Sequence, residues 1–112
     1  MGKLNLLQGT LDLLVLKILT RRPMHGYAIA RELELLSGDA LSVDEGSLYP
    51  CLYRMEKRAW LTSETAESEN RRRARFYSLT AEGLYQLGEE ERNWSDFSRT
   101  VAQVLHRANR QD

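Results

Sequence analysis

The sequence is poor in the residues that build metal and redox sites: it has one cysteine and two histidines in 112 residues. The single cysteine, Cys51, cannot form an intramolecular disulfide or a cysteine-rich metal site, which is typical of a reducing compartment. Two interpretations of Cys51 stay open, a packed or half-exposed thiol or a redox sensor. A glycine-rich phosphate loop, paired metal-ligand spacings and a nucleophile elbow are also missing. We therefore expect no enzyme, no metal and no cofactor.

Long hydrophobic runs and an excess of one charge are absent as well. The start of the chain, Met1–Leu7, lacks the features of a secretion signal, and no run approaches the roughly 18 apolar residues of a membrane span. We expect a cytoplasmic protein without a membrane contact. Because 16 Lys and Arg balance 16 Asp and Glu, any surface that attracts nucleic acid must be local.

The residues that are present suit one globular domain. Hydrophobic residues make up 42% of the chain and charged residues 29%, which is enough apolar material for a single core. A first helix is predicted from a cap at Thr10 to Thr20, stopped by Pro23. Leu13 and Leu16 lie off its main apolar stripe, so we expect a partner chain to cover that second face.

Two more helices are predicted before residue 60. The second runs from Ala28 to Leu36 and ends at Gly38 in the C′ position. The third follows the segment 42–45, whose Ser-x-x-Glu pattern is that of a capping box. Pro50 would lie too far inside a helix that began at Ser42 and would suit one that began near Gly46, so we expect a start near Val43 with a local bend. The inward residues of this helix are Leu48, Leu52 and Met55.

Strand-forming residues at 60–65 and 75–79 predict a charged hairpin whose tip spans 66–74. Thr80 then caps a final helix of about 25 residues, whose apolar stripe needs another helix or a second copy of the chain. The predicted fold class is mainly α (α+β): a winged helix-turn-helix with a two-stranded wing. We expect residues 1–82 to form the winged helix-turn-helix domain and residues 83–112 a long dimerisation helix, the two together being one compact unit. The candidate dimer or ligand residues are Leu13, Leu16, Leu84, Leu87, Trp94, Phe97, Val101, Val104 and Leu105.

In a winged helix the third helix enters the major groove and the wing lies against the adjacent backbone or minor groove. Polar, cationic and aromatic residues occur on both of these elements, which favours contact with double-stranded DNA. The candidate DNA-binding residues are Tyr27, Ser47, Tyr49, Pro50, Tyr53, Arg54, Lys57, Arg71, Arg72, Arg73 and Arg75.

Three motifs, HGY at 25–27, EGSLYPCLYRME at 45–56 and FYSLTAEG at 76–83, resemble the PadR family of transcription regulators. The similarity spans roughly residues 7–108, and the stretch 68–77 further resembles a subgroup found beside transporter permease genes. The resemblance implies a homodimer held by the first and last helices, usually a repressor that leaves its operator when a ligand or signal acts. Relatives usually have glycine at position 59, where this chain has Ala59; if that site needs a positive φ, alanine costs about 1 kcal/mol.

Other interpretations of the same residues stay open. The wing arginines could be a solvated charge run, Tyr49 and Tyr53 could be core aromatics, and Arg54 could pair with Glu45 or another acid. His25 could stabilise a turn by a hydrogen bond. Trp94 could anchor the dimer, or line a ligand pocket as tryptophans do in some relatives. The rival function is a winged helix that docks proteins and binds no DNA.

Overall fold

The computed structural model describes residues 8–109, and they form four helices and a three-stranded antiparallel sheet. This architecture confirms the predicted α+β winged helix. The expectations for Met1–Leu7 and for the last residues of the dimerisation helix, 110–112, lie outside the described residues. No helix within 8–109 is long and apolar enough to cross a membrane. The elements in chain order are α1 (Gln8–Ile18), β1 (Met24–His25), α2 (Gly26–Leu36), α3 (Glu45–Lys57), β2 (Leu61–Glu67), β3 (Arg73–Leu79) and α4 (Ala81–Ala108).

Helix α1 lies at the centre of the molecule and packs against α2, α3 and α4. It already includes Gln8, so Thr10 lies within the helix and is not its cap. Because three helices surround it, α1 is buried on more than one face by its own chain. Leu16 is fully buried in this core, so the expectation that a partner covers it was wrong. Leu13 is only half-buried.

Helix α2 begins at Gly26, two residues earlier than predicted, and ends where its sequence predicts. The Nδ1 atom of His25 accepts a hydrogen bond from the backbone N–H of Ala28 at 3.1 Å, which confirms the turn-stabilising interpretation of this histidine. At the other end Gly38 has φ +61°. The N–H of Asp39 there donates to the carbonyl of Glu34 at 2.8 Å, as in a Schellman cap.

Helix α3 begins two residues later than predicted. Its cap is Asp44, whose carboxylate accepts from the N–H of Ser47 at 2.8 Å, so the predicted capping box from Ser42 was wrong. One helix continues through Pro50, whose ring nitrogen has no hydrogen to donate to the carbonyl of Gly46. The inward stripe was predicted correctly, and Cys51 joins it. The buried residues of α3 are Leu48, Cys51, Leu52 and Met55.

The turn after α3 requires a left-handed residue, and the chain supplies alanine. Ala59 has φ 63°, and a second Schellman cap forms as the N–H of Trp60 donates to the carbonyl of Met55 at 3.0 Å. A β-carbon in this region costs about 1 kcal/mol relative to glycine. Position 59 therefore needs a positive φ, so the cost that the resemblance implied for an alanine at this position applies to this chain.

The sheet has one strand more than the sequence predicted. Strands β2 and β3 pair from Leu61 opposite Leu79 to Glu67 opposite Arg73, so both extend further towards the tip than expected. The short strand β1 pairs with the other edge of β3. The tip is correspondingly shorter, and Arg71 adopts φ 61° within it.

Helix α4 joins the domain by its first turns and then leaves it. The hydroxyl of Thr80 accepts from the N–H of Gly83 at 3.0 Å and donates to the carbonyl of Ala59 at 2.6 Å, so Thr80 is the predicted cap. Leu87 is buried in the core of its own chain, which corrects its assignment to a dimer surface. From Glu91 to Asn109 every side chain is exposed except the half-buried Ser98.

Candidate nucleic-acid interface

The outward face of α3 carries aromatic and cationic side chains. Tyr53 is 64% exposed, and the ammonium group of Lys57 lies 5.5 Å from the centre of its ring. Ser47 and Pro50 are also exposed. A core role for Tyr53 is excluded by this exposure. The face therefore has the chemistry of a surface that can contact bases and phosphates.

Tyr49 connects α3 to the start of α2. A β-carbon on Gly26 would lie 2.8 Å from the Tyr49 hydroxyl oxygen, so the ring is packed directly on this glycine. The side chain still exposes 45% of its surface, and the neighbouring Tyr27 exposes 73%. Tyr49 is thus neither a core residue nor a free one: its ring is fixed by α2, and one side of it is open to solvent.

A groove of about 320 Å³ lies between the start of α2, Tyr49 and the hairpin. We call it the wing groove. Among the residues that the structure describes, none of those lining it carries a carboxylate. The first turn of α2 adds backbone N–H groups and the positive end of its dipole, which favour anions. The charged and aromatic side chains that line the wing groove are His25, Tyr27, Tyr49, Arg72, Arg73 and Arg75.

The four predicted wing arginines differ in their surroundings. Arg75 donates to the hydroxyl of Ser63 at 2.8 Å and lies 3.9 Å from the carboxylate of Glu56, so its charge is partly neutralised within the chain. Arg73 opens β3 opposite Glu67. Arg71 and Arg72 lie at the exposed tip, where the N–H of Arg71 closes a turn. The tip arginines therefore keep the most freedom to contact an anion.

Arg54 does not share the outward direction of Tyr53 and Lys57. Its Nη2 lies 2.5 Å from Oδ1 of Asp12 on α1, and its side chain is only 25% exposed. The acid that pairs with Arg54 is therefore Asp12 and not Glu45. Sequence reasoning missed Asp12, whose one signal is an acidic residue between two leucines of α1, Leu11 and Leu13.

Cys51 donates to the same carboxylate of Asp12 from 3.1 Å and is 1% exposed. Burial, and then the hydrogen bond to Asp12, raise the pKa of the thiol from 9.0 to about 12. A thiol that stays protonated is a poor nucleophile. Of the two interpretations of Cys51, the packed thiol is confirmed.

A second groove, of about 360 Å³, lies between α1 and α4. We call it the α1–α4 groove. Leu13 lines it from α1, and Trp94 and Phe97 line it from α4 with their ring centres 6.4 Å apart. In the described part of the chain, no group of three or more His, Cys, Asp or Glu side chains could hold a metal ion.

Comparison with known proteins agrees with this geometry. The model of the Transcriptional regulator PadR-like family matches residues 15–89. A PadR-like transcriptional regulator of Bacillus cereus is 31% identical, with a TM-score of 0.72 over 88% of this chain and 93% of its own. A PadR family regulator of Eggerthella lenta is 33% identical, with a TM-score of 0.74 over 88% and 83%. A Streptococcus mutans protein of solved structure is 27% identical, with a TM-score of 0.80 over 99% and 100%.

Proposed function

The chain belongs to the PadR-like family of transcriptional regulators, and from that premise we propose that it is a homodimeric repressor of a specific DNA operator. Membership of this family makes it a DNA-binding regulator of transcription and not an enzyme. We further propose that a ligand or another signal releases it from DNA. Because the proposed partner is DNA, we expect it to act in the cytoplasm. Its relation to the permease-associated subgroup stays a prediction.

The observation that carries the proposal is the chemistry of the wing groove. Arginines from the hairpin, an exposed tyrosine and the start of a helix line one concave surface that holds no described carboxylate. Arginine binds phosphate oxygens with two hydrogen bonds at once, and helix N-termini favour the same anion. We therefore assign the phosphate contacts to Tyr27, Arg72 and Arg73, which line the groove, and to Arg71 at the exposed tip beside it. Arg75 adds to the positive potential from its ion pair with Glu56.

Base contacts are assigned to the outward face of α3. The recognition helix of a helix-turn-helix lies in the major groove and reads base edges with residues near its N-terminus. Ser47, Tyr49 and Pro50 occupy the first two turns of α3, and Tyr53 and Lys57 follow on exposed positions. These five residues form the proposed reading surface.

The proposed dimer uses the part of α4 that its own chain leaves uncovered. At 1.5 Å per residue the 28-residue helix is about 42 Å long. Its second half contributes nothing to the buried core, although apolar residues recur along it at spacings of three and four. A second copy of the chain can cover this stripe by helix packing. The exposed apolar residues of α4 are Leu84, Tyr85, Trp94, Phe97, Val101, Val104 and Leu105.

Because Leu87 is buried in the core, we no longer place the boundary between the DNA-binding unit, 1–82, and the dimer helix, 83–112, at residue 83. The first two turns of α4 belong to the DNA-binding unit, and the rest of the helix forms the dimer contact. The α1–α4 groove lies where these two parts meet. A ligand bound by Leu13, Trp94 and Phe97 would therefore touch both the winged helix and the dimer helix. We propose this groove as the place where release from DNA begins.

The function is tested by titrating the protein into the duplex that lies upstream of its own gene, in parallel with an unrelated duplex, at several salt concentrations. We expect operator affinity at least about a thousandfold above that for unrelated DNA. If the two duplexes bind equally weakly at all salt concentrations, the proposed function is wrong and protein docking becomes the better interpretation.

A further inference from the structure

The Asp12 carboxylate receives two donors from α3, 39 and 42 residues further along the chain. Oδ1 of Asp12 lies 2.5 Å from Nη2 of Arg54 and 3.1 Å from Sγ of Cys51. Asp12 itself is 8% exposed and is the one buried polar or charged residue of the described chain. A carboxylate in such a place is costly unless both of its partners stay within reach.

The two donors lie on one face of α3. Positions 51 and 54 are separated by three residues and are therefore neighbours on the helix surface. That face points towards α1, whereas Tyr53 and Lys57 are exposed on another. Within the described residues the Nε atom of Arg54 is buried and has no hydrogen-bond partner. The guanidinium group of Arg54 is therefore directed into the protein, and Asp12 is the group that holds it there.

Helix α1 in turn is tied to the dimer helix. Lys17 of α1 forms an ion pair with Glu91 of α4 at 3.2 Å, and Leu13, next to Asp12, lines the α1–α4 groove. Helix α1 thus stands between α4 and α3. A displacement of α1 caused by the dimer or by a ligand in the groove reaches α3 through two kinds of contact, the apolar core and the pair of Asp12 and Arg54.

We propose that Asp12 is a positioning residue that fixes the orientation of α3 for operator recognition, and that Arg54 acts by pairing with Asp12 and not by contacting DNA. The proposal rests on the function proposed above and deepens it. Leucine contacts between α1 and α3 tolerate small rotations, because dispersion has little directional preference. The charged hydrogen bond from Arg54 to Asp12 depends on direction and distance, so it selects one orientation of α3.

The test compares Asp12→Asn, Arg54→Met and the double variant with the unchanged protein. We expect each single variant to bind the operator about tenfold more weakly, which is within the range known for residues that couple sites without touching a ligand. Affinity for unrelated DNA should not change, because the phosphate contacts remain. The double variant should be no weaker than either single one, since both changes break the same contact.

The salt dependence separates positioning from direct contact. Arg54→Met should leave the slope of log affinity against log salt unchanged, whereas the control Arg72→Met at the wing should lower it by about one unit. A smaller folded fraction cannot imitate the expected result, because it would reduce binding to both duplexes alike. Thermal unfolding and sedimentation establish that each variant is folded and has the same oligomeric state.

If Asp12→Asn does not fold, Arg54→Lys takes its place. Lysine can still pair with Asp12 as a point charge, so we expect operator affinity to fall by less than about threefold. The inference is overturned if Asp12→Asn leaves operator affinity unchanged, if the losses in the double variant add, if Arg54→Met lowers the salt slope by a full unit, or if Arg54→Lys loses as much operator affinity as Arg54→Met. Failure of the unchanged protein to prefer its operator would overturn the proposed function instead.

Discussion

At the scale of single residues, three non-glycine residues of the described chain have a positive φ, and Asp39, which follows α2, is of the residue type that tolerates it best. Ala59 and Arg71 both have a positive φ, which a side chain disfavours. Ala59 lies in the turn that follows α3, whereas Arg71 presents its cationic side chain at the exposed tip of the wing. Residues kept in strained conformations are found at functional sites more often than elsewhere. Arg71 is therefore a stronger functional candidate than its exposure alone indicates.

Replacing Ala59 by glycine should stabilise the protein. Glycine adopts the φ of 63° without a β-carbon clash, so we expect the free energy of unfolding to rise by about 0.5–1 kcal/mol. Urea unfolding followed by circular dichroism measures the change. The matched control is Ala102→Gly, at an exposed site inside α4, which should lower stability by about 1 kcal/mol. A loss of stability in Ala59→Gly contradicts this interpretation.

The thiol of Cys51 should resist alkylation while the protein is folded. Burial and Asp12 raise its pKa to about 12, so very little thiolate exists at pH 8. The folded state holds this proton more tightly than the unfolded state. The thiol therefore stabilises the fold fully below pH 9.0 and loses that contribution as the pH rises towards 12. Iodoacetamide should label Cys51 at pH 8 only after urea is added, and rapid labelling without urea would contradict its burial.

Predictions of side-chain contacts from sequence failed where the two residues in contact are far apart along the chain. The exposed aromatics of α3 and the wing arginines were found from their local pattern, whereas a positive φ at Ala59 was considered only as a condition, because similar proteins usually have glycine there. The pairing of Arg54 with Asp12 was not found, because the two are 42 residues apart and helical periodicity describes only neighbours within one element. A charged residue on the apolar face of α1 was the available signal.

At the scale of elements, helices with a long hydrophobic period were predicted well. The two-residue strand β1 and the start of α3, where two residues could serve as the cap, were not. The end of α2 follows from Gly38 and the start of α4 from Thr80, whose cap geometry is local. Strand β1 was missed because two residues cannot show a period, and its pairing is set by the edge of β3. At the start of α3, Ser42 and Asp44 both qualify as caps by residue type, and the structure has Asp44 as the cap.

The start of α3 can be tested by removing each candidate cap. Asp44→Ala should lower the free energy of unfolding by about 1 kcal/mol, because the N–H of Ser47 loses its acceptor. Ser42→Ala is the control and should have an effect below about 0.5 kcal/mol, as is usual for a residue outside such features. Thermal unfolding at one protein concentration measures both. Equal effects, or a larger one for Ser42→Ala, would mean that the helix begins earlier than Asp44.

At the scale of the whole molecule, the shape is elongated because of α4. The principal extents are 64 × 34 × 22 Å and the radius of gyration is 16.4 Å, against about 13 Å for a compact chain of this length. The sequence predicted a projecting apolar helix, but two residues that belong to the monomer core were assigned to the dimer contact. Leu16 and Leu87 fill the monomer core, because periodicity gives the faces of a helix without saying which neighbour covers each of them.

The dimer proposal predicts that one charge in the exposed stripe separates the subunits. Leu105→Glu buries a carboxylate in the proposed helix contact, so we expect sedimentation equilibrium at micromolar concentration to give a monomer. The control Gln103→Glu adds the same charge at an exposed position of α4 off the stripe and should remain a dimer. An unchanged protein that sediments as a monomer at these concentrations would contradict the proposal.

Operator binding as a function of salt, with the wing arginines removed, tests the central claim most directly. Arg71, Arg72 and Arg73 are all changed to alanine, and the control changes three exposed arginines of α4 to alanine: Arg92, Arg99 and Arg107. Both variants lose the same charge. The account predicts that the wing variant lowers the slope of log affinity against log salt by about one unit for each lost phosphate contact, while the control keeps the original slope. An unchanged affinity and slope in the wing variant would show that the wing groove does not bind DNA.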